Sequence, residues 1–259
     1  MDLQLHNKLI IVSGGARGIG EGITRALAQE GAIPIIVGRN LEENTLLVDA
    51  LRTQGFNADF ITAELSNPED CKMAIQQVIE KYNCIDGIVN NAGVNDGVGL
   101  EKGNYESFLK SLHNNLIHYY LLVHHALPYL IKSKGNIVNI SSKTAETGQG
   151  GTSAYAASAG GRNALTREWA VELLKYGIRV NAVVVAECYT PLYERWINTL
   201  SNPAQKLLEI QSKIPLEQRF TTREEIANMV TFLLSSKSSH TTGQLIHVDG
   251  GYVHLDRAL

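Results

Sequence analysis

Long apolar runs are missing from this chain, and so is any strong excess of charge. No stretch of about 18 apolar residues occurs, so no transmembrane helix is expected. The formal net charge is −3 at pH 7, and nothing suggests a partner built on a phosphate backbone. Cysteine is scarce. Cys71, Cys84 and Cys188 are odd in number and form no Cys-x-x-Cys, which points to free structural thiols in a reducing cytoplasm. There is no His-Glu-x-x-His stretch and no Cys/His cluster, so no metal is implied. The adjacent His124 and His125 point to different sides of a helix and make poor joint ligands. Low-complexity linkers, charge blocks and internal repeats are absent, so nothing divides the chain. The first residues, Met1 to Lys8, lack the apolar core of a secretory leader and run straight into a strand-like segment. The one glycosylation sequon, Asn139-Ile140-Ser141, lies in a buried-strand pattern and is read as chance.

What is present is an alternation. Short β-branched apolar runs (Leu9 to Val12, Ile33 to Val37, Ala58 to Thr62, Ile85 to Val89, Asn136 to Ile140, Ile178 to Val184, Leu245 to Val248) alternate with helical patterns. Runs that are apolar on both faces suit a parallel sheet covered by helices on each side. Repeated βα units then imply right-handed crossovers and a doubly wound sheet. The length of 259 residues fits one α/β domain. Gly31 and Gly55 stop the first two helices, and Asn67 with Pro68 opens the third. Long helical stretches are expected from about Tyr105 to Lys132 and from about Ala154 to Lys175.

Between the first strand and first helix lies Ser13-Gly14-Gly15-Ala16-Arg17-Gly18-Ile19-Gly20. Glycines there let the backbone turn tightly and approach a pyrophosphate, which the following helix N-terminus attracts. The second strand ends in Gly38-Arg39-Asn40, without the carboxylate that would bind a ribose 2′-hydroxyl. Arg39 and Arg17 could instead pair with a 2′-phosphate, so NADP is preferred, with NAD as the alternative.

These features, with Asn90-Asn91-Ala92-Gly93 after the fourth strand and Tyr155 thirteen residues after Ser142, resemble the short-chain dehydrogenase/reductase family along nearly the whole chain. The resemblance implies a single-domain Rossmann fold with a seven-stranded parallel sheet. Residues 1–100 would mainly hold the cofactor. Residues 101–259 would serve catalysis and substrate, with a lid near 188–215. It implies cofactor contacts from Gly14, Arg17, Gly18, Ile19, Gly20, Arg39, Glu64, Leu65, Asn91, Ala92, Gly93, Tyr155 and Thr190. Ser142 would hold the reacting oxygen, Tyr155 would take its proton, and Asn115 would hold a relay water. A homotetramer built on the two long helices is also implied.

The chain departs from the family at two places. Ala186-Glu187 stands where Pro-Gly is usual, and Ala159 stands where the family has the lysine of Tyr-x-x-x-Lys. Tyrosine has a pKa near 10, and a neighbouring ammonium is what makes it a usable base. Ala159 therefore predicts impairment on the order of 10²–10⁴-fold with binding largely kept. A natural non-catalytic nucleotide-binding relative and an introduced lysine-to-alanine substitution both fit. Retention of the other motif residues favours the second.

Within the family, several segments resemble the sugar-oxidising dehydrogenases typified by L-fucose dehydrogenase. They run from Val94 to Leu100, from Asn115 to Tyr120, from Ser141 to Gly150 and from Ala186 to Trp196, with the tail His254 to Leu259. The implied reaction is oxidation of an aldose at its anomeric carbon to a lactone. Asn95, Lys143, Gln149 and Glu187 would supply hydrogen bonds alongside Ser142 and Tyr155, and Tyr193 or Trp196 an aromatic face. A 3-oxoacyl or hydroxysteroid reductase is the alternative.

Overall fold

The computed structural model describes residues 1–255, and Asp256 to Leu259 of the tail lie outside the described residues. Its strands are β1 (Leu9–Ser13), β2 (Ile33–Gly38), β3 (Asp59–Thr62), β4 (Gly87–Asn90), β5 (Asn136–Ser142), β6 (Arg179–Val185) and β7 (Leu245–Val248). They form one seven-stranded sheet in the order β3-β2-β1-β4-β5-β6-β7, and every pairing is parallel. The helices are α1 (Gly18–Gln29), α2 (Leu41–Thr53), α3 (Pro68–Tyr82), α4 (Tyr105–Leu112), α5 (His118–Ser133), α6 (Ser153–Glu172), α7 (Pro191–Ile197), α8 (Pro203–Gln211) and α9 (Arg223–Leu234).

Alternation along β1 shows why the sheet is covered on both sides. Leu9 and Ile11 join a core with α3, α5 and α6, while Ile10 and Val12 join a core with α1 and α9. Both sets are buried, so no residue of the strand faces water. Burying each such side chain stabilises the fold by roughly 1.5–3 kcal/mol. A third cluster seats α2 through Leu47, Val48 and Leu51 against Ile36. Cys71 and Cys188 are buried and free, and burial pushes both thiols up to about 12. No helix among the described residues is long and apolar enough to cross a membrane.

The strand order turns back on itself at β1. The chain winds outward to β2 and β3, then crosses to β4 on the opposite side. Crevices form at such switch points, at the carboxyl ends of the strands. One expectation is corrected there. The helix expected from Tyr105 to Lys132 is divided by a π-helical turn, His113–Ile117. Asn115 sits in that turn. Its side-chain amide donates to the Ser111 carbonyl at 2.9 Å, and its carbonyl oxygen accepts from the Val94 backbone at 2.7 Å. Those side-chain bonds compete with the helical ladder, and π turns commonly mark functional positions.

Candidate active site

A cleft of about 560 Å³ opens along the carboxyl ends of the strands. Each residue marked from the sequence as cofactor-binding, from Gly14 to Thr190, lines it. Gly14 and Gly20 of the loop have no room for side chains. Gly14 has φ +62°, and a Cβ there would sit 3.0 Å from Ala92 Cα. A Cβ on Gly20 would strike the Gly14 carbonyl. Asn91 locks the loop from the far side of the switch point. Its amide donates to the Ser13 and Gly14 carbonyls at 3.0 and 3.2 Å. Ser13 Oγ in turn accepts from the Asn91 and Ala92 backbones at 2.9 and 3.0 Å. Helices α2 and α3 are capped by Asn40 and Asn67, whereas Arg17, which precedes α1, gives it no side-chain cap. Its first N–H groups are left for an anion, which fits a pyrophosphate.

At one end of the cleft stand the two arginines read as phosphate contacts. Arg17 pairs with Glu43 at 3.0 Å, and Arg39 with Glu64 at 3.3 Å. Both pairs are open to solvent, and the Arg39 side chain is 75% exposed. Burial would raise the Glu64 carboxyl, but the Ser66 N–H and hydroxyl, with Arg39, bring it below the usual range.

At the other end are the groups read from the sequence as reacting. Ser142 ends β5, and its Oγ accepts from the Thr144 hydroxyl at 3.1 Å. Ser142 and Tyr155 both line the cleft, while Asn115 is fully buried. Tyr155, Ala159 and Arg162 follow one another on α6 at i, i+4 and i+7, so they share a face. Ala159 is completely buried and brings no charge.

Arg162 and His118 also line this end, and neither was marked from the sequence. Arg162 Nη1 donates to the Ile140 carbonyl at 3.1 Å and to Tyr119 Oη at 3.3 Å. His118 is held well below the ordinary imidazole range, at about 4, by burial first and by the Arg162 charge after it, against an opposing backbone hydrogen bond to Asn114. The i+7 spacing from Tyr155 could have flagged Arg162.

The expected substrate residues are distributed unevenly. Lys143 and Glu187 follow the adjacent strands β5 and β6 and form a buried ion pair with each other. The Lys143 ammonium also lies 4.1 Å from the Tyr252 ring centre. Tyr193 packs edge-on against Trp196 at 5.1 Å and against Phe220 at 5.3 Å. Its buried hydroxyl has no hydrogen-bond partner, and burial, with Glu187 nearby, pushes it upward. Gln149 and Asn95 are exposed, Gln149 in a shallower depression over 144–156. Thr190 caps α7 by accepting from the Tyr193 backbone at 3.2 Å and faces Gly18 across the cleft. Away from the cleft, Glu146, His247 and His254 bring ligand atoms within 4.8 Å of one another. A His247–Glu146 contact of 3.1 Å and edge-on packing of the two imidazoles hold that trio together.

Comparison with known proteins agrees with this geometry. Residues 14–253 match the family described as enoyl-(acyl carrier protein) reductase. The chain is 35% identical over 254 residues to the 3-oxoacyl-(acyl-carrier-protein) reductase FabG of Thermotoga maritima, covering 97% of this chain and 100% of that protein. It is 32% identical over 251 residues to the L-fucose dehydrogenase of Rattus norvegicus, covering 94% and 88%. The crystal structure of Cj0485 dehydrogenase superposes with a TM-score of 0.94 at 46% identity, covering 100% of this chain and 99% of that one.

Proposed function

Since the chain belongs to the short-chain dehydrogenase/reductase family of NAD(P)-dependent oxidoreductases, we propose that it oxidises an aldose, L-fucose or a similar sugar, at the anomeric carbon to a lactone. The observation behind the sugar reading is the buried Lys143–Glu187 pair beyond the ends of β5 and β6, which sits next to the cleft-lining Ser142 and Ala186 without itself lining the cleft. Buried charges of both signs make poor company for an acyl chain or a steroid, and good company for vicinal hydroxyls. Tyr193 is packed among Trp196, Tyr189 and Phe220, so of the two expected aromatics the half-exposed Trp196 would be the one to offer a ring to sugar C–H bonds. The 32% identity to an L-fucose dehydrogenase supports the same reading. The 35% identity to FabG favours the second reading, a 3-oxoacyl reductase.

In the proposed reaction a bound nicotinamide would accept the hydride from the sugar carbon. Ser142 would donate a hydrogen bond to the sugar oxygen as charge gathers on it. Tyr155 would take the hydroxyl proton, and Asn115 would hold a water that carries it onward. Arg17 and Arg39 favour NADP. Exposed ion pairs such as theirs contribute at most about 1 kcal/mol, so a 2′-phosphate can displace Glu43 and Glu64 at little cost. Ala159 supplies neither charge nor a ribose contact, so turnover is proposed to be lowered relative to a lysine-bearing chain. A homotetramer is proposed as well, since Tyr105, Phe108 and Tyr120 on α4 and α5, and Val171 on α6, are apolar and exposed.

The test is an aldose panel with NADP and NAD, followed by absorbance of the reduced nicotinamide, against acyl-thioester reduction. Lactone formed from L-fucose or a similar aldose is expected. Faster acyl-thioester reduction with no aldose oxidised would overturn the sugar reading.

A further inference from the structure

Arg162 is 2% exposed, yet its guanidinium lines the cleft. Its carbon lies 5.2 Å from the Tyr155 ring centre and 5.5 Å from that of Tyr119. Nη1 is bonded to the Ile140 carbonyl and the Tyr119 hydroxyl, while Nε and Nη2 are buried with no hydrogen-bond partner. No carboxylate among the described residues pairs with it. A guanidinium does not deprotonate in proteins, so this is a fixed positive charge in a low-dielectric pocket. Such a charge is costly to bury unless an anion gathers beside it. The groups around it decide which anion that can be.

From α5, His118 is kept neutral by burial, and Tyr119 is raised by burial and donates its proton to the Ile140 carbonyl at 3.1 Å. Beyond β5 and β6, Lys143 and Glu187 neutralise each other. From α6 comes Tyr155, the phenol that must lose a proton for the reaction to run. Burial alone would lower Arg162; Tyr119 and Tyr155 raise it instead.

We propose that Arg162 performs the electrostatic part of the duty left open by Ala159, its fixed charge over the Tyr155 ring favouring the phenolate that accepts the substrate proton. The inference rests on Tyr155 being the base of the proposed reaction. Arg162 acts through Tyr155 and is a positioning residue. In the step itself the substrate O–H bond breaks and the Tyr155 O–H bond forms. Arg162 exchanges no proton. The ribose contacts of a lysine stay unreplaced, so the chain is slowed without being silenced.

The experiment is a tyrosinate absorbance titration of the full chain, which needs neither cofactor nor substrate. Subtracting the Tyr155→Phe variant isolates the Tyr155 component. Arg162→Met, with its own Tyr155→Phe control, is expected to move that component up by about one unit or more, a tenfold loss of phenolate near neutrality. Arg162→Lys is expected to leave most of it in place. An unmoved component in Arg162→Met overturns the proposal. If Arg162→Met does not fold, Arg162→Gln, which keeps amide donors toward the Ile140 carbonyl and removes the charge, decides in its place, and an unmoved component there overturns the proposal. A sugar panel that fails while the titration shifts as expected sinks the substrate reading alone.

Discussion

The two ends of the cleft hold their cations in opposite ways. Arg17 and Arg39 are solvent-exposed, and each already has a carboxylate partner. Arg162 is buried, lies against two phenol rings and leaves two nitrogens unpaired. Exposed pairs contribute about 0–1 kcal/mol and can be exchanged for a ligand phosphate nearly freely. A buried charge without a counterion costs several kcal/mol. The first arrangement suits reversible capture of a cofactor. The second suits a fixed field acting on a group that must change its protonation state. Stability is spent at the end where the proposed chemistry would occur.

The largest expected effect lies at the buried end. Tyr155→Phe keeps the ring under Arg162 but removes the ionisable oxygen. Turnover should fall on the order of 10²–10⁴-fold, measured as kcat/KM, with cofactor affinity from calorimetry nearly unchanged. Retained turnover would remove the reason for a charge at that end.

Next comes the pH dependence of stability set by His118. Its folded value of about 4 lies below the ordinary 6.5, with burial the larger cause and Arg162 a further one. The unfolded chain takes up the proton as pH falls through 6.5, while the folded protein resists until about 4. The stability is therefore complete above 6.5 and drains away down to about 4, by roughly 3 kcal/mol in all. Thermal melts between these limits should show Tm falling in the unaltered chain and nearly flat in His118→Asn. A flat profile in both would mean that this end is wetter than the structure places it.

The smallest effect belongs to the exposed end. Arg39→Asp should lower kcat/KM with NADP roughly tenfold to a hundredfold, while NAD is spared or favoured. Equal losses with both cofactors would show that Arg39 does not read the 2′-phosphate.

Much of the fold was legible because its cause is local. Runs such as Ile35-Ile36-Val37 are apolar on both faces, and that pattern has few solutions other than a covered parallel sheet. The glycine loop was legible because steric freedom at Gly14 and Gly20 leaves a mark on the sequence. What escaped depends on tertiary juxtaposition. The π turn arises because Asn115 bonds both Ser111 and a loop twenty-one residues upstream at Val94. Lys143 and Glu187 were each marked as substrate contacts, but their pairing follows from the β5–β6 register, with Ser142 opposite Val185. Glu146, His247 and His254 meet because the last strand, β7, joins the sheet edge next to β6. Arg162 was within reach of helical periodicity. The family pattern draws attention to the position four residues after Tyr155, and the guanidinium on the same face lies one turn further on.

The most direct measurement is the pH profile of kcat/KM for the unaltered chain beside Arg162→Met, with the best aldose and NADP. The acidic limb, which reports the Tyr155 base, should move upward by about one unit or more in the variant, with convergence of the two at high pH. Superimposable limbs, or a loss equal at every pH, would contradict a charge at Arg162 acting on Tyr155.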